Sequence, residues 1–129
     1  MQSKKFFLVI VSALMAVALF VGCAGGGYDK NVLMVREGTM NMNPSVPVGK
    51  AFDQFFANGK WQSFTSTENE LIVEFNGECT WYNAPADMKV QFALSGNEFS
   101  LKYIGINEVD MNYFDSLEIL EKVLSEYRP

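Results

Sequence analysis

The segment Met88-Lys-Val-Gln-Phe-Ala-Leu94 decides the fold class of this chain, because apolar and polar residues alternate along it. Every second side chain of an extended strand lies on the same face, so its four apolar residues share one face. Residues 71–76 alternate in the same way before it, and Phe99, Leu101 and Tyr103 repeat the spacing after it. The pattern predicts antiparallel strands with a common apolar face that includes Tyr103.

Turn-forming residues separate these strands. We expect residues 83–87 to reverse the chain before Met88 and Ser95-Gly-Asn97 to form the next tight reversal. Residues 61–67 predict another strand, and Gly77 predicts a β-bulge within a strand of residues 71–82. Residues 31–36 are apolar enough to add a short strand. The sheet is therefore predicted to be a meander of about four to five strands.

Two segments have the period of amphipathic helices. The apolar residues of the first lie between Pro47 and the stop signal Asn58-Gly59; they are Val48, Ala51, Phe52, Phe55 and Phe56. The second follows a cap at Asp110 or Asn112, and its apolar stripe is Tyr113, Leu117, Leu120, Leu124 and Tyr127. A sheet and two helices with one apolar side each can bury one another. We predict a single α+β domain over residues 31–129, with both helices packed on one face of the antiparallel meander.

The N-terminus has the features of an export signal. Met1-Gln-Ser-Lys-Lys5 is cationic, and the 16 residues that follow are apolar except for Ser12. A membrane-spanning helix needs about 20 apolar residues, so a cleaved signal over residues 1–22 is favoured. Leu19-Phe-Val-Gly-Cys23 resembles the lipobox of bacterial lipoproteins, which places a small residue before an acylated cysteine. The resemblance implies that Cys23 carries the lipid, and residues 23–30, which include three glycines, are predicted to be a flexible tether.

This interpretation predicts the location of the domain. Acyl chains such as palmitate on Cys23 would hold it on the extracytoplasmic side of a membrane in the cell envelope, and Ala24 permits outer-membrane sorting in a Gram-negative cell. Two alternatives stay open: an ordinary signal cut after Ala24, and an uncleaved anchor.

Charge and residue content exclude several functions. Without Lys4 and Lys5 of the leader, eight basic residues remain against 15 acidic ones, which argues against a nucleic-acid partner. The chain has no histidine and no Gly-rich phosphate loop, which removes the commonest catalytic and zinc sites. The pairs at positions 68 and 70 and at 108 and 110 lack the spacing of a calcium loop, so we interpret them as solvated loop charge. No enzyme activity, cofactor or metal is predicted.

The remaining candidate residues are a thiol and three aromatic side chains. With Cys23 acylated, Cys79 has no disulfide partner in the chain, and we expect it to be a small buried hydrophobe. Most aromatic residues fall on predicted inward positions. Trp61 follows a helix, and Trp81 is expected on the outer face of its strand beside Tyr82, so these three residues are the candidate partner surface.

One segment resembles a known family. Val46-Pro-Val-Gly-Lys-Ala-Phe-Asp-Gln-Phe-Phe-Ala-Asn-Gly-Lys-Trp61, with Val73-Glu-Phe-Asn-Gly77, Val90-Gln-Phe92 and the closing helix, is similar to small exported bacterial domains of unknown function. These share a V-G-x-A-F-D-x-F-F-x-N-x-K-W segment ahead of strands and a terminal amphipathic helix. The resemblance covers most of residues 32–127 and implies no activity and no catalytic residue.

Together these observations predict a membrane-anchored envelope lipoprotein. We expect its domain to be a non-enzymatic module that binds an envelope protein or has a structural role. The alternative is a lipoprotein that captures a small molecule, a glycan or a cation, which requires a concave pocket.

Overall fold

Three helices and five strands form within residues 27–129, the part of the chain that the computed structural model describes. In chain order they are α1 (Lys30–Glu37), α2 (Val48–Phe55), β1 (Ala57–Thr65), β2 (Leu71–Trp81), β3 (Ala84–Ser95), β4 (Glu98–Ile106), β5 (Val109–Asp110) and α3 (Tyr113–Ser125). Each strand pairs antiparallel with its neighbour in the chain, giving the sheet order β1-β2-β3-β4-β5. The predicted α+β meander is confirmed.

The apolar face of the sheet, which we call the inner face, carries the core. The four alternating apolar residues of β3 are all buried, as predicted, and share one cluster with buried residues of the three helices. In α3, Leu120 and Leu124 are buried as expected, but Tyr113 is 55 % exposed. Ile119 and Val123 take the remaining core positions of this helix, because its buried stripe is rotated from the predicted one.

Residues 31–36 are helical, so the strand predicted there is wrong. The Asp29 side chain accepts a hydrogen bond from the backbone N–H of Val32 at 2.8 Å, which caps α1. Val32 and Val35, three positions apart, are both buried, as expected for one side of a helix. A short apolar run does not distinguish a strand from a helix by periodicity, and here the cap decides it. A third helix therefore covers the inner face.

The β2–β3 hairpin turns earlier than predicted. Tyr82 and Asn83 have φ angles of 49° and 64°, the left-handed conformation of a two-residue type I′ turn. Pairing resumes at Ala84, so the turn predicted over residues 83–87 is wrong: only Asn83 lies in the turn, and residues 84–87 extend β3. Pro85 lies before Met88, where β4 begins to pair, so β3 has only one neighbour at the proline.

The bulge predicted at Gly77 lies in the strand opposite. Ala57 and Lys60 of β1 pair with positions 78 and 76 of β2, so the extra residue belongs to β1. Asn58 supplies the positive φ, at 55°. Gly77 provides space instead, since a Cβ there would lie 2.6 Å from Cζ of Phe75.

A second bulge, in β4, reverses the face of Tyr103. Gln91 pairs with Tyr103, whereas the next residue of β3 pairs with Leu101, so Lys102 is the extra residue. Leu101 is buried on the inner face as predicted, and beyond the bulge Ile104 takes the inward position. The prediction that Tyr103 shares this face is wrong, because the bulge places its side chain on the opposite, outer face.

Candidate functional site

The residues predicted to form a partner surface are only partly brought together. Cys23 lies outside the described residues. Trp81 is half-buried against the core, so its expected position on the outer face is wrong. Its ring contacts that of Tyr82, with centroids 5.6 Å apart, and Tyr82 is 90 % exposed. Trp61 pairs with Phe75, six residues before Trp81, which separates the two indoles by roughly 20 Å along the sheet.

Trp61 belongs to an aromatic cluster beneath α2. Its ring centroid lies 4.9 Å from that of Phe75, 5.5 Å from that of Phe52 and 6.5 Å from that of Phe92. The Arg36 guanidinium lies 5.6 Å from the indole centroid, within the range of a cation–π contact. These contacts assign Trp61 to packing between the helices and the sheet.

Arg36 joins α1 to α2. Its two terminal nitrogens donate to the Asp53 carboxylate at 3.0 and 2.8 Å, a bidentate ion pair. This hydrogen bonding raises the pKa of Arg36 above its ordinary value, against the lowering effect of burial. The Tyr28 ring lies 4.6 Å from the guanidinium carbon, and a Cβ at Gly49 would come within 2.8 Å of the Arg36 Cβ. The close approach of the two helices thus requires glycine at position 49.

The segment at residues 46–61, which carries the family resemblance, stabilises the fold. Val48 and Phe52 are buried, Gly49 admits α1, and Asp53 holds Arg36. Asn58 forms the bulge, and its amide donates to Glu78 at 3.1 Å. Each of these positions has a packing or backbone role.

A buried carboxylate lies on the outer face of the sheet, where no described helix packs. Glu74 is 7 % exposed and accepts hydrogen bonds from the side-chain amides of Gln62, Asn76 and Gln91 at 2.8, 3.0 and 2.8 Å. The ammonium of Lys89 is 3.9 Å away. Burial alone would raise the pKa of Glu74, but the three amides and Lys89 together lower it below its ordinary value. The group is therefore ionised at neutral pH.

We expect Glu74→Gln to lower the free energy of unfolding by about 2 kcal/mol at pH 7, since a neutral amide cannot accept three such hydrogen bonds. Because folding lowers the pKa of Glu74, its stabilising effect is complete above the pKa of the unfolded chain, about 4.3, and is lost as the pH falls through the folded value. Urea denaturation between pH 7 and pH 3 measures the difference.

The matched control for this prediction is Glu118→Gln, on the exposed side of α3. It should change stability by less than about 0.5 kcal/mol at either pH. A loss from Glu74→Gln that stays the same at pH 3 and pH 7 would show that the ionised form is not what stabilises the fold.

A concavity of about 780 Å³ adjoins Glu74 on the outer face, and we call it the polar hollow. Its polar side chains come from four strands and the turn after β4; they include Asn58, Lys60, Asn76, Lys89, Tyr103 and Asn107. Glu78, Asp87 and Glu108 also line it, so acidic groups exceed basic ones. The Tyr103 hydroxyl donates to Asp110 at 2.6 Å, which raises the pKa of Tyr103 and fixes its ring.

Three exposed apolar side chains lie where β5 leads into α3. Val109, Tyr113 and Phe114 are 60 %, 55 % and 79 % exposed, and we call them the junction patch. Residues 103–121 contain no lysine or arginine, whereas five acids lie at positions 108, 110, 115, 118 and 121. The sequence reasoning missed this patch because it assigned Tyr113 to the core and gave Phe114 no role.

The thiol and the acidic residues that were considered as reactive or metal-binding groups make contacts that stabilise the fold. Cys79 is a half-buried free thiol against the core, and burial, followed by the charge of Asp87, raises its pKa. A raised pKa keeps the thiol protonated and weakens it as a nucleophile.

The acidic residues in the described part of the chain do not form a metal site. The Glu70 carboxylate forms an ion pair with the Lys102 ammonium, with 2.7 Å between oxygen and nitrogen. Within residues 27–129, no cluster of three or more ligating side chains could hold a metal ion.

Among the helices of the described residues, none has the length and apolar character needed to cross a bilayer. Comparison with protein-family models, curated proteins and solved structures finds no match to this chain.

Proposed function

We propose that this protein is an envelope lipoprotein, anchored to a membrane through Cys23, whose domain docks a protein partner and performs no catalysis. The observation that carries the docking role is the junction patch, because an apolar surface with two aromatic residues is exposed on a strongly acidic domain. Aromatic side chains contribute disproportionately to binding energy at protein interfaces.

The anchor would keep the domain close to the membrane. Cys23 precedes Gly27 by four residues, which span at most about 14 Å when fully extended. At the start of the described residues, Asp29 accepts a hydrogen bond from Ser63 of β1 at 2.7 Å. Ser63 pairs with Val73, nine residues before Tyr82. The β2–β3 turn therefore lies roughly 30 Å along the sheet from the anchored side.

The surroundings of the junction patch define the chemistry of the partner. Acidic residues flank Val109, Tyr113 and Phe114 along the chain, and the nearest basic residues in the sequence are Lys102 and Lys122. A complementary surface has an apolar depression bordered by lysine or arginine. Charge complementarity of this kind speeds association and selects the partner.

Photocrosslinking in the native envelope tests the docking role. A photoreactive phenylalanine analogue at position 114 is expected to give a discrete protein adduct in intact cells. The same analogue at Phe64, which is 37 % exposed on the outer face, is the matched control and should not give that adduct. Equal adducts from both positions, or none from position 114, would reject the junction patch as a docking surface.

Phe114→Ala should weaken binding of the crosslinked partner at least tenfold, measured with both proteins purified, because truncating an aromatic hot spot costs about 2 kcal/mol or more and about 1.4 kcal/mol is tenfold. Phe64→Ala should leave the Kd within twofold. The free energy of unfolding of Phe114→Ala should stay within about 0.5 kcal/mol of the unsubstituted protein, since the side chain is exposed. An unchanged Kd for Phe114→Ala would contradict the proposal.

A further inference from the structure

We propose that the polar hollow is a binding site for a neutral polyhydroxylated ligand, of which a short oligosaccharide is the representative class. The hollow lies on the outer face, is lined by residues of four different parts of the sheet, and contains none of the three residues of the junction patch. The proposal is therefore independent of the docking role.

Hydrogen bonds within the fold leave acceptor atoms free in the hollow. The amide nitrogens of Asn58 and Asn76 donate to the carboxylates of Glu78 and Glu74. An ionised carboxylate only accepts hydrogen bonds, so the amide nitrogen of each asparagine faces the carboxylate. The amide oxygen of the same side chain then points away from that carboxylate. In the described part of the chain, neither oxygen accepts a hydrogen bond from another group. Two fixed acceptors are thus available to a ligand.

Hydrogen-bond donors also line the polar hollow. The side-chain oxygen of Asn107 accepts from the backbone N–H of Asp87 at 2.9 Å, which leaves its amide nitrogen free. The ammonium groups of Lys60 and Lys89 also line the hollow. A hydroxyl group both donates and accepts hydrogen bonds, so a ligand with several hydroxyls can use the fixed donors and acceptors together.

The charge of the lining argues against other ligand classes. Two lysines face Glu78, Asp87 and Glu108, so an anion such as phosphate finds no net positive charge. The ring of Tyr103, held by Asp110, supplies an apolar surface against which the C–H groups of a sugar can pack. The volume of about 780 Å³ is within the usual range of small-molecule sites, and the mostly polar lining suits a ligand with many hydroxyl groups.

The test is a titration of the ¹⁵N-labelled full chain in detergent micelles, followed by amide chemical shifts. The probes are maltotriose and a trimer of N-acetylglucosamine as neutral sugars, with inorganic phosphate as the anion. We expect at least one sugar to give saturable shifts centred on Lys89, Tyr103 and Gly105, with a Kd on the order of 1 mM. Phosphate should give none there.

Variants distinguish this site from a chance contact. Lys89→Met should weaken the binding of that sugar at least fivefold. Because Lys89 lies beside Glu74, a second variant is needed: Lys60 lines the hollow without an ion pair to Glu74, and Lys60→Met should also weaken binding at least fivefold. Lys50→Met, on the exposed side of α2, should leave the affinity unchanged. Absence of saturable shifts with both sugars at 50 mM, shifts centred on the junction patch, or phosphate binding in the hollow would each overturn the proposal.

Discussion

Cys23→Ser is expected to move this protein from the membrane fraction to the soluble fraction. Serine has no thiol to form a thioether with a diacylglyceryl group, and each buried CH₂ of an acyl chain contributes about 0.8 kcal/mol to membrane attachment. Removing the lipid therefore removes nearly all of the binding energy, since eight basic residues against 15 acidic ones after the leader give a net negative charge, which an anionic membrane repels. Fractionation of cells measures the distribution, and intact mass shows the loss of the lipid.

Cys79→Ser is the control for the anchor, because it changes the other thiol of the chain and should leave the protein in the membrane fraction. The two alternative interpretations of the leader make different predictions. With cleavage after Ala24, both variants are soluble, as is the unsubstituted protein. With an uncleaved anchor, all three remain in the membrane. Either result would contradict the lipid anchor.

Phe52→Ala should lower the free energy of unfolding by about 4 kcal/mol. Phe52 is 1 % exposed, and its ring centroid lies 4.9 to 5.5 Å from those of Phe56, Trp61 and Phe75. Truncation leaves a cavity between α2 and the sheet that these neighbours cannot fill. Since domains of this size are stable by only 5 to 15 kcal/mol, the variant should unfold at a much lower urea concentration.

The control for the core prediction is Phe64→Ala. Phe64 is 37 % exposed on the outer face of β1, so its truncation should cost no more than about 1 kcal/mol. Urea denaturation of both variants, followed by tryptophan fluorescence, gives the two values. Equal losses would show that the aromatic cluster beneath α2 is not the centre of stability.

The sequence predicted the strands and their buried face correctly where apolar and polar residues alternate regularly. Alternation along residues 88–94 identified a strand and its buried face, and both were confirmed. The alternation pattern predicted the wrong face where one unpaired residue shifts the pattern by one position. The inward position of Tyr103 follows from Leu101 if the strand is regular, and nothing in the local sequence reveals that Lys102 is unpaired. Bulges depend on the partner strand, which local sequence does not specify.

The candidate sites depend even more on pairing. Glu74 was correctly placed outward by alternation, but two of its donors, Gln62 and Gln91, come from the strands on either side. Their proximity follows from the register of three strands, and part of that register is fixed by the β2–β3 turn, which was predicted at residues 83–87 and lies at Tyr82 and Asn83. The exposure of Phe114 depends likewise on the rotation of α3, which its apolar stripe defined only approximately.

The bulge at Lys102 also determines which length changes the chain can tolerate. Deleting Lys102 would remove the bulge and leave a regular strand in which Leu101 and Ile104 still face the core. Deleting a residue from the regular part of β4, residues 98–101, would instead exchange the core and solvent positions of the residues on one side of the deletion. The turn at Gly96 and the loop at residues 66–70 carry no such phase relation, and a Cβ at Gly96 would meet open space. Homologous chains of different length should therefore differ in these two connections or at the bulge residue Lys102, and keep the length of the rest of β4 constant.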